Sequence, residues 1–350
     1  MHMKNSDRIF RKQISFFMLL LMLLFSSACK RTQQTVKEEI AKQDSAVAIQ
    51  EPVETQLKSD SAVDDGFDQI PLVQEIQPGS RADKGRKRGG MFDQINFRGK
   101  GAEERRLGIQ LASRGDLRGA VEQFTKSIEV FANNPDAYFY RGKAHWELKQ
   151  YDEAEADFNK ALSIRPAQAP YYYYRGRFLI DRERYADALA DFDRTIRFAP
   201  NYMDAWNFRG VALAKLNRHD EALAEYDKVL AQQPDHALAL YNKGTSLAAL
   251  KKFNEADEAF SRSITINPDY TQAYVNRGNC RFMLERFSDA ADDYTKAISQ
   301  NGNKAEAYYN RAFAVQRLGR QADACADWKK AVELGHRGAG DMLKKYCGNQ

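Results

Sequence analysis

The sequence predicts an all-α protein built as a row of stacked helix pairs. Three observations predict it. From residue 101 onward the chain repeats itself with a period of 34, a length that suits one helix–turn–helix unit. Glycine recurs in one column, at Gly108, Gly142, Gly176, Gly210, Gly244 and Gly278, with Ala312 in the seventh position. Twelve residues after it every repeat carries alanine (Ala120, Ala154, Ala188, Ala222, Ala256, Ala290, Ala324), and four residues further an aromatic (Phe124, Phe158, Phe192, Tyr226, Phe260, Tyr294, Trp328). With glycine near 7% of average composition, six matches in seven arise by chance about once in a million.

Seven repeats follow from this register: 101–134, 135–168, 169–202, 203–236, 237–270, 271–304 and 305–338. Each reads as two helices. Tyr138 and His145 flank Gly142 at i−4 and i+3 on one expected core face, and Ala154, Phe158 and Ala161 space the second helix at i, i+4 and i+7. Asp152, Asp220, Asn254 and Ser288 are the expected N-caps of second helices. Pro166, Pro200, Pro234 and Pro268 cannot continue a helix and mark the turn into the next repeat. The small glycine and alanine columns let the two helices approach closely. After the seventh repeat, residues 339–350 read as a capping helix and tail.

These columns resemble the tetratricopeptide repeat family over residues 101–338. The resemblance implies a right-handed α-solenoid of seven antiparallel helix pairs, the first helix of each lining a concave groove. Departures lie mainly at the ends, where one face of a terminal repeat must meet water. Glu104 stands where an aromatic is expected, and Ala132, Gly302 and His336 replace the terminal proline.

In this register the run "PYYYYRGRFLI", Pro170 to Ile180, is four directions around one helix. Tyr172 shares a column with Tyr138, Trp206, Leu240, Tyr274 and Tyr308 and is assigned to the core. Tyr173 points about 100° further round. It shares a column with Phe139, Tyr241 and Tyr309, on the concave wall. Tyr171 replaces alanine and is expected to bulge against the second repeat, and Tyr174 follows Tyr140 and Phe208. The expected groove stripe is Phe139, Lys143, Trp146, Tyr173, Arg177, Asn207, Val211, Tyr241, Thr245, Asn279, Phe282, Tyr309 and Phe313. Aromatic anchors beside arginine and asparagine suit an extended peptide or a partner helix. The competing reading is that these rings only pack between repeats.

A charged pattern runs through the same repeats. The residue before the repeat glycine or alanine is basic in six of them, and sixteen residues later an acidic residue follows in five. The expected ion pairs are Arg141–Asp157, Arg175–Asp191, Arg209–Glu225, Arg277–Asp293 and Arg311–Asp327. The fifth repeat breaks the rule, with Lys243 but Ala259. The first repeat lacks both members.

The first hundred residues have another character. Lys4, Arg8, Arg11 and Lys12 precede an uncharged run, Gln13 to Ala28, the layout of a signal peptide. Its apolar span of about 15 residues is short of the ~20 that cross a bilayer. It ends in "FSSAC", which resembles the lipobox of bacterial lipoproteins, with Ser26 where leucine is usual. That resemblance implies cleavage after residue 28 and a lipid anchor on Cys29. The chain would be exported and held in the cell envelope, on a bacterial membrane facing the periplasm or the exterior. The alternative is a plain secretory signal in which Cys29 is incidental. Residues 29–100 show no sustained apolar period and read as a disordered linker. It is acidic over 30–80, with ten acidic and five basic residues. It is basic over 81–106, nine against four, around "KGRKRGG".

Composition excludes more than it assigns. A net charge of +5 on 40.0 kDa is too small to imply a nucleic-acid partner, and the basic linker is the less favoured route to one. Five histidines without ligand spacing, no phosphate loop and no zinc-type cysteine pattern leave no candidate catalytic residue, metal site or cofactor. The expected function is an envelope-tethered protein-interaction scaffold and not an enzyme, with no small-molecule substrate. The alternative is a structural subunit of a secretion or envelope-assembly complex that uses convex or end surfaces. An oxidising compartment favours a bridge between Cys325 and Cys347. Their sequence midpoint, His336, lies in the turn between two helices that would return them to equal height, while Cys280 is a small core residue.

Overall fold

A computed structural model of the chain describes residues 101–348 and is helical throughout them. Fifteen helices follow one another: α1 (Ala102–Ser113), α2 (Leu117–Val130), α3 (Pro135–Glu147), α4 (Tyr151–Ile164), α5 (Ala169–Asp181), α6 (Tyr185–Phe198), α7 (Met203–Lys215) and α8 (His219–Gln232). They continue as α9 (Ala237–Ala249), α10 (Phe253–Ile266), α11 (Thr271–Met283), α12 (Phe287–Gln300), α13 (Ala305–Arg317), α14 (Gln321–Glu333) and α15 (Ala339–Cys347). No strand occurs among the described residues. The signal, Cys29 and the linker lie outside them.

Two compact blocks divide at Arg277 and Gly278, within α11. In the first, α1 packs on α2, α3 on α4, α5 on α6, α7 on α8 and α9 on α10, and each pair packs on the next. In the second, α12 packs on α13, α13 on α14 and α14 on α15. Contacts are thus between chain neighbours, as in repeat proteins.

The three columns form the centre of each pair. All seven alanines and seven aromatics are at most 1% exposed. The aromatic packs against the glycine sixteen residues earlier. A Cβ on Gly210 would fall 2.5 Å from Tyr226, on Gly108 2.6 Å from Phe124 and on Gly278 2.7 Å from Tyr294. At Gly142 the tightest approach is looser, 3.2 Å to the Asp157 Cβ. Glycine is therefore present for the space above it, against its ~1 kcal/mol helix penalty relative to alanine.

The expected N-caps are corrected. Second helices start earlier, behind Gln150, Arg218, Lys252 and Arg286, none of which caps through its side chain. Asp152, Asp220, Asn254 and Ser288 sit inside the first turn, where Asp152 and Asp220 complement the helix dipole. The chain reaches these starts through a turn that the sequence pattern did not reveal. Lys149, Glu183, Asn217, Lys251 and Glu285 all have φ between 58° and 61°, in the column of Gly115 and Gly319. Each follows a first helix, and the next residue bonds back five positions, as in Gln150 N–H to His145 O at 2.9 Å and Arg184 N–H to Leu179 O at 2.8 Å. This is a Schellman closure, held by a side-chain-bearing residue in five repeats.

Substitution should separate the glycines. Gly210→Ala is expected to cost ~1–3 kcal/mol by overpacking against Tyr226. Gly142→Ala should cost least of the column, because the gain in helix propensity offsets its looser contact. Urea melts that rank Gly142→Ala as the more damaging would refute this account.

Candidate functional site

The expected groove stripe is corrected. Of its thirteen residues only Arg177 is half-buried; Phe139, Lys143, Trp146, Tyr173, Asn207, Val211, Tyr241, Thr245, Asn279, Phe282, Tyr309 and Phe313 are buried. The rings of the Tyr173 column meet other rings rather than standing open. Phe139 stacks on Tyr171 at 4.7 Å, Tyr173 packs on Tyr202 at 4.7 Å and Tyr241 on Tyr270 at 4.6 Å. In the second block Tyr309 stacks on His336 at 4.0 Å. The next repeat, or the turn leading to it, supplies each partner, so a ring here closes the joint between pairs. Phe282 meets Phe287 at 5.2 Å, and Phe313 meets Trp328 at 5.3 Å.

Tyr171 does bulge against the second repeat. Its hydroxyl donates to Asp136, which also accepts from Arg105 Nη1 at 3.3 Å and Arg165 Nη1 at 3.1 Å. Burial, then Asp136, pushes the Tyr171 phenol well above its ordinary pKa. Tyr172 is buried, but Tyr138, Trp206 and Tyr308 in its column are only half-buried. His145, assigned to the core, is likewise half-buried and bonds Gln150 Oε1 through Nδ1 at 2.7 Å. The half-buried Tyr138 and Tyr308 rings lie beneath the Arg141 and Arg311 guanidiniums, each 5.5 Å away.

Asparagines form short polar chains among these rings. Asn242 Nδ2 donates to Asn207 Oδ1 at 3.1 Å, and Asn276 Nδ2 to the Tyr241 hydroxyl at 3.0 Å. In the second block Asn279 Oδ1 accepts from both the Tyr294 hydroxyl and Asn310 Nδ2.

Around Tyr174 two cations share one ring, Lys143 Nζ at 4.0 Å and Arg177 Cζ at 5.8 Å from its centre. Arg177 also lies 4.9 Å from the Phe208 ring, 5.7 Å from Tyr173 and 5.9 Å from Trp146. Trp146 Nε1 donates to Asp181 Oδ2 at 2.7 Å. This aromatic cage with a half-buried guanidinium is the most developed side-chain cluster on the first helices.

Four of the expected pairs lie within a single block, and all four form. Arg141 binds Asp157 through Nε and Nη2, both at 2.8 Å, and Arg175 binds Asp191 the same way at 2.7 Å. Arg311 binds Asp327 at 2.8 and 2.7 Å, and Arg209 reaches Glu225 at 2.8 Å. Arg277 and Asp293 belong to different blocks; within its own block Asp293 meets Arg281 at 2.9 Å. A second arm escaped the sequence reading. Each basic residue also reaches sixteen positions back, into the preceding repeat: Arg141 to Thr125 at 3.1 Å, Arg175 to Asn159 at 2.7 Å and Arg209 to Asp193 at 2.8 Å. Lys243, which lacks an acidic partner in its own repeat, takes Asp227 at 2.6 Å; Arg277 takes Ser261 and Arg311 takes Thr295, both at 3.0 Å. The signal was present in sequence: this column is polar and short or acidic in six repeats, and Lys329 occupies it in the seventh, which has no repeat after it.

These pairs are partly desolvated. The Asp157 bond, opposed by burial, keeps Arg141 above its ordinary value. Arg175, despite burial that disfavours its charge, is also held up by Asp191. Burial pushes the Asp191 carboxyl up, against the pull of Arg175. Replacing Asp191 by Asn should therefore lower stability by roughly 1–3 kcal/mol by leaving Arg175 without its counter-charge. Asn159→Ala, which removes the exposed arm, should cost under ~1 kcal/mol. Calorimetric melts giving equal losses would refute the distinction.

The bridge cysteines are joined: Cys325 on α14 and Cys347 at the end of α15 form a disulfide with Cα atoms 5.8 Å apart. Beside it Tyr346 stacks on Trp328 at 5.4 Å and the Tyr346 carbonyl accepts from Gln321 Nε2 at 2.9 Å. Cys280 is buried outside the bridge.

Among known proteins, the tetratricopeptide repeat family model matches residues 105–172, 173–237, 215–271 and 241–305, which together span more than half of the chain. No curated protein matches it. Among solved structures, a tetratricopeptide repeat protein from Parabacteroides merdae ATCC 43184 is 19% identical, with a TM-score of 0.57, over 71% of this chain and 98% of its own. The C-terminal part of a TPR repeat-containing protein from Cytophaga hutchinsonii is 20% identical, with a TM-score of 0.51, over 68% of this chain and 99% of its own. At such identities these likenesses speak for the fold. The repeating columns, the paired helices and the family match agree: the chain belongs to the tetratricopeptide repeat family.

Proposed function

We propose that this chain is a protein-interaction scaffold that grips an acidic peptide segment at Arg177 and is tethered to the cell envelope through Cys29. The tetratricopeptide fold is a scaffold for protein or peptide partners, which supports the coarser part of this reading. The finer part rests on the Tyr174 cage. A buried lysine and a half-buried arginine are held on one ring. A cationic site of this kind attracts an acidic group, and the flanking aromatic faces supply apolar contact area for its neighbours. Arg177 is the member that a ligand reaches, while Lys143 strengthens the local field from below. The buried rings, by contrast, act through the rigidity of the joints. On this reading the chain performs no catalysis and takes no small-molecule substrate.

The peptide reading is tested by fluorescence anisotropy with terminally blocked acidic, neutral and basic hexapeptides. The acidic peptide should bind best, lose affinity with added salt and weaken at least tenfold with Arg177→Glu at unchanged helicity. Equal binding of all three peptides would sink it. The tether is tested separately. Cys29→Ser should move the exported chain from the membrane pellet to the soluble fraction and abolish incorporation of labelled fatty acid; a variant still pelleted with membranes would refute the anchor.

A further inference from the structure

The sequence ahead of the helical array carries a duplicated tetrapeptide. Phe67, Asp68, Gln69 and Ile70 recur as Phe92, Asp93, Gln94 and Ile95. Both copies precede the described residues. At average composition an exact four-residue repeat arises in a stretch of this length about three times in a hundred, so the recurrence points to a recognised element. Each copy sets a carboxylate beside an aromatic ring, with an aliphatic side chain two residues on. Their surroundings differ in charge. From residue 59 to residue 80 the chain has Asp60, Asp64, Asp65, Asp68 and Glu75 and no basic residue. The second copy lies between Arg86, Lys87 and Arg88 on one side and Arg98 and Lys100 on the other.

The first copy matches the Arg177 cage, which is built from three successive first helices, α3, α5 and α7. Lys143, Trp146, Tyr173 and Phe208 are buried there, whereas Arg177 and Tyr174 are half-buried and reach its surface. Asp181, one turn on from Arg177, is engaged by Trp146 Nε1 at 2.7 Å. A guanidinium beside a partly exposed phenol ring takes a carboxylate that has an aromatic next to it. We propose that residues 64–70 of the chain itself are a ligand of this cage, with Asp68 at Arg177 and Phe67 against Tyr174. The inference rests on the acidic-peptide reading of that site and names the peptide it holds before any partner arrives.

Charge selects this copy over the second. Asp64, Asp65 and Asp68 are drawn to Lys143 and Arg177, while the cations flanking Asp93 are repelled by them. Reach permits it. Asp68 stands 34 residues before Ala102, and 34 extended residues span up to about 110 Å. The first helices α1, α3 and α5 touch in succession, at interaxial steps of about 8–10 Å. A tethered ligand competes at an effective concentration on the order of millimolar. An external acidic partner must therefore displace the internal one.

The test is fluorescence anisotropy of a labelled, terminally blocked acidic hexapeptide with the full chain and two double variants. Phe67→Ala with Asp68→Asn removes the internal ligand; Phe92→Ala with Asp93→Asn makes the same chemical change in the other copy. Both pairs precede the helical array, so its Tm should not move. The first variant should bind the hexapeptide at least threefold more tightly than the parent, the second no more tightly, and adding Arg177→Glu to the first should abolish the gain. The gain should also be the same at low and high chain concentration, because the competition is within one chain. Equal binding by the parent and the first variant would overturn the internal ligand and leave the acidic-peptide reading standing. No binding by any of them would overturn both. Equal gains from the two variants would overturn the choice of copy, and a gain confined to high chain concentration would replace the internal contact by one between two copies.

Discussion

The contact of an aromatic ring with a bare glycine backbone sets the separation of the helices in each pair, and most other features follow from that separation. With a Cβ distance of 2.5–2.9 Å to the ring at five of the six glycines, the first helix has no room for a side chain at this point. The ring fills the space that the side chain would have taken. Close approach then places the alanine twelve residues on in full burial and brings the flanking columns of the two helices within reach of each other. At Gly142 the clearance is larger. Ala312 shows that a methyl is accommodated where the ring beneath is Trp328, both fully buried.

That spacing is what lets one basic residue serve two repeats. A guanidinium at the residue before the glycine stands between the second helix of its own pair and that of the preceding pair. It donates sixteen positions forward and sixteen back. Its planar fork divides naturally, two N–H groups to a carboxylate and one to a hydroxyl or amide. Lysine, with a point charge, serves only one arm: Lys243 turns back to Asp227 where its own repeat offers Ala259. Nearest-neighbour coupling of this kind is the physical basis of cooperativity in repeat arrays. Within the second block, the disulfide and the Tyr346–Trp328 stack close the array by holding α15 over the last pair.

Function in such a scaffold depends on what the joints leave available. The inward-pointing rings that look like ligand anchors in sequence are consumed by packing. Polar groups sit among the same rings, as the half-buried Arg177 guanidinium does within 6 Å of four of them.

The period, the two-helix repeat, the small and aromatic columns and the forward arm of the ion pairs were legible in sequence, because each is an identity that recurs at fixed spacing. The disulfide partners were legible because an antiparallel turn fixes which positions lie at equal height. Three features were decided only by the tertiary structure. The left-handed turn residue is Lys, Glu or Asn in five repeats. There backbone closure outweighs side-chain preference, so composition does not announce it. The backward arm of the basic column left only a column of short polar or acidic residues in sequence, varying among Thr, Asn, Asp and Ser; that these residues meet the basic residues of the following repeat was decided only when the repeats stack. Whether Phe139, Tyr173, Tyr241 and Tyr309 face a ligand or a neighbour depends on the rotation of one helix pair against the next. A periodic sequence places a ring on a helix face; the packing of the following repeat determines whether that face remains open.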